Sequence, residues 1–536
     1  MAPYFGMKGA WLTFWVTVAC ATDMTLFGYD QGVFGGVIVT EDFLNTLNLN
    51  GKTALIGTIT ALYDIGCFVG AIAAVAFGER LGRKNTILVG TTIMTIGAIL
   101  QMASFDVPMM IAGRIVAGIG NGMNTSTAPV WQSETSKASL RGKLVVVEML
   151  LNVAGFSLSN WVTYAFSFLH GPITWRFPLA FQLFFVIILY ATIPWLPESP
   201  RWLIAHGKVD EGRQIIADLE ELDVTDERVT NDVNDIIYAV EYEQTYGVSW
   251  FDLLRGRTGE SGTSTIRRLL LGCGTQIMQQ LSGINVTSYY LPTVLISVGL
   301  SNSLARLLAA CNSVSYLIAS SLAIPNVERW GRRNLMMYAA AGQAVCYLLI
   351  TVLLRFKEQE GYPHPKEVGS AAVSFFFVYY LFFGFGWQGV SWLYPTEINS
   401  LCMRTKGAAL GTASNWIVNF MVVEITPIGI ENLGWKFYII WTIFNACFVP
   451  IIYFFYPETS DRTLEDIDRL FRENTSILVN RDPDAISKKR PARYFEAERE
   501  VRGKFDMDSN KTLGSGPKNY QVGAGGVFAE HSEDVK

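Results

Sequence analysis

Histidine is scarce, charge is thin and the cysteines follow no pattern. Four of the 536 residues are histidine, and 17% are Asp, Glu, Lys or Arg. His170, His206, His364 and His531 fall outside every long apolar run, which excludes a histidine proton relay inside a membrane. The seven cysteines lie in or beside apolar runs with no CxxC spacing. That excludes a zinc or redox motif and a disulfide framework, and leaves reduced packing cysteines. No nucleophile-base pair, metal cluster or phosphate-cradling loop stands out, so the chain is not expected to be an enzyme or to carry a cofactor. The net charge of −5 comes mainly from an acidic central loop and carries no implication of nucleic acid. A cleavable signal peptide is not expected, because the first apolar run leads into charged, Gly-rich sequence rather than a small-residue cleavage site.

What is abundant is apolar surface. Half of the residues are hydrophobic and 13% aromatic, and mean hydropathy is +0.27. Runs long enough for a hydrocarbon core, about 18–25 residues each, fall near 11–38, 53–77, 86–104, 108–131, 144–168 and 178–196. A second set falls near 268–298, 304–325, 335–355, 370–394, 408–428 and 435–456. The reading is an all-α polytopic membrane protein with twelve transmembrane helices in two six-helix bundles. Lys and Arg residues cluster on one side of these runs, at Arg80, Arg83, Lys84, Lys137, Arg141 and Lys143, then Arg267, Arg268, Arg329, Arg332, Arg333 and Arg404. That side is expected to be cytosolic, with both termini.

One phrase occurs twice. Glu79-Arg80-Leu81-Gly82-Arg83-Lys84 recurs as Glu328-Arg329-Trp330-Gly331-Arg332-Arg333, each between two apolar runs. Glu134 with Arg141-Gly142 is echoed by Glu397 with Arg404, and Pro197-Glu198-Ser199 by Pro457-Glu458-Thr459, in the same order. Duplicated helical units are how many secondary transporters are built, with the substrate held near the midplane between the repeats. The chain therefore divides into a cytosolic N-terminus (1–10), a first bundle (11–200), a cytosolic helical linker (201–266), a second bundle (267–458) and a cytosolic tail (459–536). The tail is expected to form one amphipathic helix and to be largely disordered after about 475. The first, fourth, seventh and tenth runs are the richest in Gly and Pro and are expected to bind solute and to move.

Polar residues inside the runs carry the chemistry. A charge in hydrocarbon costs about 2.5–3.5 kcal/mol even on a lenient scale, so buried ionisable groups pair and serve a purpose. Asp30 and Arg114 are the expected pair; a separation that changes with conformation would load and release a proton, and a constant pair would merely orient two helices. Gln279, Ser282, Asn285 and Tyr289 are spaced three or four residues apart and so share one helix face, with Gln280 adjacent, as a stripe of amides and a phenol. Amides both donate and accept, which suits a hydroxylated ligand. Trp392, Asn415, Trp416 and Asn419 are expected to complete the pocket. Arg83, Glu134, Arg141 and Glu198, with Arg333, Glu397, Arg404 and Glu458, lie at cytosolic run ends. They are expected to bridge the two halves when the carrier faces outward, as exposed, weak salt bridges of about 0–1 kcal/mol each.

These residues resemble the sugar porter family of the major facilitator superfamily, over about residues 10–470. The match rests on Gly28-Tyr29-Asp30-Gln31-Gly32, the two Gly-Arg turns, Glu134 to Arg141-Gly142, Pro197-Glu198-Ser199-Pro200-Arg201, Gln279 to Asn285, and Pro457-Glu458-Thr459 onward. The resemblance implies alternating access by rocking of the two bundles. It also implies a sugar-contacting set of Gln279, Gln280, Asn285, Tyr289, Trp392 and Asn415, and a proton-coupling pair in Asp30 and Arg114. Where the family often places a sugar-binding Gln in the fifth run, this chain has Val147-Glu148-Met149, with Asn152 a turn later. Glu148, Asn152, Asn312 and Asn419 are therefore possible additions to the pocket. The expected partners are a monosaccharide, hexose or pentose, a proton and the lipid bilayer, with the plasma membrane as location. A facilitator, a polyol carrier and a transporter-like sugar sensor are the alternatives.

Overall fold

Apolar runs with no water around them satisfy their backbone groups only internally, so helix is the conformation such a sequence dictates in a membrane. The computed structural model describes residues 3–136, 141–246, 252, 264–400, 403–462, 464–473 and 476–491. Among these residues there are helices and no strand. The first half contains α1 (Gly9–Val37), α2 (Thr53–Leu81), α3 (Arg83–Met102), α4 (Val107–Glu134), α5 (Arg141–Phe166) and α6 (Ile173–Trp195). In the second half α7 is assembled from Thr265–Leu281, Ile284–Ser288 and Leu291–Ser297. It is followed by α8 (Asn302–Trp330), α9 (Arg332–Glu358), α10 (Pro365–Ile398), α11 (Arg404–Leu433) and α12 (Phe437–Phe455).

Eight helical stretches among the described residues are long and apolar enough to cross a membrane, the last of them, Lys406–Phe455, joining α11 to α12. Those that fall short are α4, α5 and α7, where Gly, Asn, Gln and charged residues interrupt the apolar sequence. The Gly- and Pro-rich runs do not all break. α1 is continuous through Gly28, Gly32, Gly35 and Gly36, whereas α7 breaks at Ser282-Gly283 and again at Tyr289-Tyr290, and α10 breaks between Gly386 and Val390. Glycine weakens a helix by only about 1 kcal/mol, and close packing offsets that along α1.

The repeated phrase forms the same turn twice. Gly82, between α2 and α3, has φ 86° and ψ 169°, and Gly331, between α8 and α9, has φ 79° and ψ 155°, a region glycine enters without a Cβ penalty. In each case a distant carboxylate caps the helix that follows. Glu198 accepts from the backbone N–H of Arg83 (2.9 Å) and Lys84 (3.2 Å), and Glu458 from Arg332 (2.8 Å) and Arg333 (3.3 Å). A carboxylate satisfies the free N–H groups and the positive end of a helix together.

The halves pack through α2 on α11, α5 on α8, and α1 on the last piece of α7. At the α1 contact a Cβ on Gly35 would lie 2.6 Å from the Tyr289 carbonyl oxygen, so the two backbones meet where no side chain fits. Hydrogen bonds join the halves from the cavity wall to the end opposite the Gly82 and Gly331 turns. Thr58 donates to Glu424 (2.7 Å), Ser313 to Ser157 (3.0 Å), and Asn302 and Arg306 to the Val39 carbonyl (3.2 and 3.0 Å). That end of the molecule is closed.

Between the halves, Pro200–Ala205, Val209–Glu220 and Glu227–Tyr246 form helices with a small core of Ile204, Ile216, Ala217, Val229 and Val233. After α12 the amphipathic segment expected from sequence is the helix Leu464–Glu473. It buries Ile467 and Phe471 and pairs Asp468 with the buried Arg268 of α7. Order continues past 475: Ala485 accepts the Glu458 N–H (2.9 Å), and Val479 and Ala485 pack with Leu470. Residues 492–536, most of the stretch expected to be disordered, lie outside the described residues.

Candidate solute site and buried charge cluster

A cavity of about 540 Å³, counting its open mouth, lies between the halves. From the first half it is lined by Phe27 and Gln31 of α1 and by Met149, Asn152 and Phe156 of α5. The second half contributes Gln279, Gln280, Asn285 and Ser288 of α7, Gln388 and Trp392 of α10, and Asn415 and Trp416 of α11. The break at Gly283 explains the α7 arrangement, because it lets Asn285 fold back on the helix it follows. Asn285 Nδ2 donates to Gln280 Oε1 (2.7 Å), and Gln280 Nε2 donates to Asn415 Oδ1 (3.0 Å). Asn415 Nδ2 in turn donates to Gln276 (2.7 Å) and Gln279 (2.8 Å). Five amides thus hold one another in fixed orientations around the cavity, with spare donors and acceptors for hydroxyls. Trp392 and Trp416 supply ring faces.

Most of the sequence-predicted set converges here. Gln279, Gln280, Asn285, Trp392, Asn415 and Asn152 line the cavity, and Gln388, which donates to Asn152 at 3.5 Å, went unnoticed in the sequence, as did Gln276. Others lie elsewhere. Tyr289 follows the second break of α7 and is fully buried beside charged groups of the first half rather than in the cavity lining. Glu148 is turned away from the cavity by the helical step to Met149. It is fully buried inside the first half, where it faces Asp23 and Cys20 of α1. Asn312 is buried in α8 next to the Ser313–Ser157 contact and does not line the cavity. Asn419 stands behind Asn285, from which it accepts a 2.5 Å hydrogen bond.

Asp30 and Arg114 are brought together, both with fully buried side chains and 3.9 Å between Oδ1 and Nη1. The guanidinium lies between two rings, 4.1 Å from the Phe34 centroid and 4.4 Å from that of Tyr63, and donates to the Thr60 carbonyl (3.1 Å). Such stacking desolvates a cation while giving it a negative ring face. A second carboxylate shares this space. Asp64 of α2, fully buried, interacts electrostatically with Arg114 and Asp30 and accepts from Asn419 across the interface (3.0 Å). It was missed, although the rule that singled out Asp30 applies equally to an acid within the apolar run 53–77. Asp23, which accepts from Asn124 (2.7 Å), was missed in the same way.

The expected bridges between the halves belong to the state in which the opposite end is open; in this structure that end is closed, and the described gate residues pair within each half. Arg83 holds Glu134 of its own half (2.8 Å) and its backbone is capped by Glu198. In the second half Arg332, rather than Arg333, holds Glu397 (2.8 Å) and Glu328 (2.7 Å). Arg333 donates instead to the Tyr453 carbonyl (2.7 Å) and lies over its ring. These pairs are within halves because each copy of the repeat carries its own arginine and its own acids. The gate pair in the second half is not exposed, with Arg332 6% and Glu397 20% accessible, and Glu458 is fully buried, although Glu328 is 66% accessible. Arg404 is half-buried at the start of α11, and the Arg141 side chain lies outside the described residues.

Among known families, the one described as "Sugar (and other) transporter" matches residues 15–471. The chain is 58% identical over 501 residues to the MFS-type transporter oryC of Aspergillus oryzae, covering 93% of this chain and 92% of that one. It is 36% identical over 485 residues to the sugar transporter STL1 of Saccharomyces cerevisiae, covering 87% and 83%. Among solved structures, the xylose transporter XylE from E. coli in an inward open conformation superposes with a TM-score of 0.69 at 23% identity, covering 85% of this chain and 99% of that one. That likeness is one of fold.

Proposed function

The chain belongs to the sugar (and other) transporter family and has the all-α, multi-pass fold of the major facilitator superfamily, and from that premise we propose that it carries a monosaccharide across the plasma membrane by alternating access, together with a proton. The observation that carries this reading is the joined pair of sites: an amide-lined, uncharged cavity between the halves and a buried Asp30–Arg114 pair beside it. A hydroxylated solute exchanges its water hydrogen bonds for those of Gln279, Gln280, Asn285 and Asn415 at little net cost. Rocking of the halves then exposes the cavity to one side at a time. In this reading the closed end faces outward, and the turns at Gly82 and Gly331, with both termini, face the cytosol.

Asp30 accepts the proton when the pair is accessible from outside, and Arg114 favours its release when the two approach. The two Arg and Glu clusters, one at each turn, keep each half rigid, so that the halves move as bodies. A second reading, a polyol or another partly apolar solute, is favoured by the first-half wall of Phe27, Met149 and Phe156.

The test is radiolabelled uptake of glucose, galactose, xylose, arabinose and glycerol in cells lacking their own sugar carriers, with and without a protonophore. Accumulation that the protonophore abolishes, and that Asp30→Asn also abolishes, is the expected result. Uptake that only equilibrates would make the protein a facilitator and reduce the pair to a structural one. Accumulation of glycerol alone would select the second reading.

A further inference from the structure

The buried cluster at the interface contains one cation and two acids. Arg114 lies against Asp30 of α1 and within electrostatic reach of Asp64 of α2, all three fully buried. With both carboxylates ionised the cluster carries a net negative charge; with one proton bound it is neutral. A low-dielectric interior favours the neutral arrangement, so the cluster is built to hold one proton more than a single Asp–Arg pair would. The hydrogen bonds are unevenly distributed. Asp30 faces the Tyr63 phenol of α2 and makes no shorter, well-formed hydrogen bond, whereas Asp64 accepts from Asn419 through Oδ1 and leaves Oδ2 unpartnered among the described residues.

Asn419 does more than satisfy Asp64. It accepts from Asn285, which is bonded to Gln280 and through it to Asn415. A continuous run of side-chain hydrogen bonds therefore leads from the cavity wall in one half to a carboxylate in the other. The remaining groups facing Asp64 are Cys67 of its own helix and the phenols of Tyr289 and Tyr290 on α7. Asp64 thus has Arg114 as its described cationic neighbour, shared with Asp30.

We propose that Asp64 is a second proton-exchanging carboxylate, which competes with Asp30 for Arg114 and is connected by Asn419 to the amides that bind the solute. The inference rests on the proton-coupled reading above and extends it. With the outer end closed, as in this structure, Asn419 donates to Asp64 and Arg114 lies against Asp30, whose O–H bond breaks and whose proton passes to water. When that end parts, the Asn419 bond is lost, the Asp64 carboxylate draws Arg114 away, and Asp30 takes a proton from the water outside. The guanidinium keeps its charge throughout.

The experiment measures sugar-evoked proton uptake, uphill accumulation and sugar exchange by the full chain in the same cells. Radiolabelled glucose, xylose and glycerol serve as probes, and half-saturation is followed from acid to neutral pH. Proton uptake by the wild type and a split in Asp64→Asn, with exchange measurable and accumulation lost, is the expected result. Asn419→Ala keeps every ionisable group, and its half-saturation is expected to lose its dependence on pH; this variant decides the matter if Asp64→Asn fails to fold. Absence of sugar-evoked proton uptake in the wild type overturns the coupled reading and this one with it. Coupling in the wild type with accumulation and a pH profile unchanged in Asp64→Asn, or an unchanged profile in Asn419→Ala, overturns the role of Asp64 alone.

Discussion

The two halves share a fold and a turn but differ in what they bury. Asp23, Asp30, Asp64, Arg114 and Glu148 lie deep in the first half, while the second half places Gln276, Gln279, Gln280, Asn285, Asn415 and Asn419 at comparable depth. Away from the helix ends, the buried charge lies in the first half, and the second half presents neutral hydrogen-bonding groups. Duplication supplied two equivalent frames, which the helix turns still record in the Glu198 and Glu458 caps. The difference between their interiors separates an ion-handling half from a solute-handling half. They meet at Asp64 and Asn419, where the last acid of one side accepts from the last amide of the other.

The largest effect is expected where the charged half loses its only deeply buried described cation. Arg114→Leu leaves Asp30 and Asp64 facing each other without compensation, and removing one partner of a buried charge cluster costs about 3–5 kcal/mol. Purified protein should show a much lower unfolding temperature, or too little folded protein to measure. If Arg114→Leu were as stable as a cavity variant such as Gln280→Ala, the charged half would not depend on charge balance. Gln280→Ala removes two buried amide contacts, and its effect should fall on binding. A weakening of roughly 1–3 kcal/mol is expected, read as a rise in half-saturation with folded-protein yield preserved. An unchanged half-saturation would move the solute site away from the amides and end the division proposed between the halves.

Much of this contrast was legible in the sequence, and the reason is periodicity. Length and apolarity give the helices, the repeated Gly-Arg phrase gives the duplication, and helical spacing places Gln279 and Asn285 on one face, with Gln280 next to it. Legibility failed at the breaks. Tyr289 continues the same stripe on paper, yet the second interruption of α7 turns it out of the cavity and towards Asp64. Glu148 and Met149 exchange inside and outside by one helical step, a rotation that spacing alone does not fix. The gate bridges are expected only in the outward-facing state, and in this structure, closed at the opposite end, the gate residues pair within each half. A repeat that carries its own acids closes on itself. Asp64 differs from these, since an acid in an apolar run was there to be read.

A smaller effect tests how the halves close on each other. Gly35 meets the Tyr289 carbonyl where an added Cβ would lie at 2.6 Å, a distance that side chains do not tolerate. Gly35→Ala cannot alter charge or the cavity amides, and it should disfavour the closed end while leaving both halves folded. The expected outcome is slower maximal transport with half-saturation changed less than in Gln280→Ala, and faster labelling of a cysteine introduced at Thr58 by an impermeant thiol reagent. Labelling no faster than in the Gly35 parent would show that the α1 and α7 backbones are not what holds that end shut.

The smallest effect concerns the caps that the halves still share. Glu198 lies beyond the end of α6, and its carboxyl is raised above the usual 4.5 by burial, against the lowering influence of the N–H groups of Ser199, Lys84 and Arg83. A carboxyl raised on folding binds its proton more tightly in the native state than in the unfolded chain. Its contribution is therefore fully present below the unfolded value and diminishes as pH rises through the folded one. Unfolding temperatures of wild type and Glu198→Gln, compared from about pH 4.5 to about pH 7, should show the wild-type advantage shrinking towards neutral pH. An advantage that grew with pH would mean that the backbone donors outweigh burial, and that the cap works as an ionised carboxylate at the helix end throughout the transport cycle.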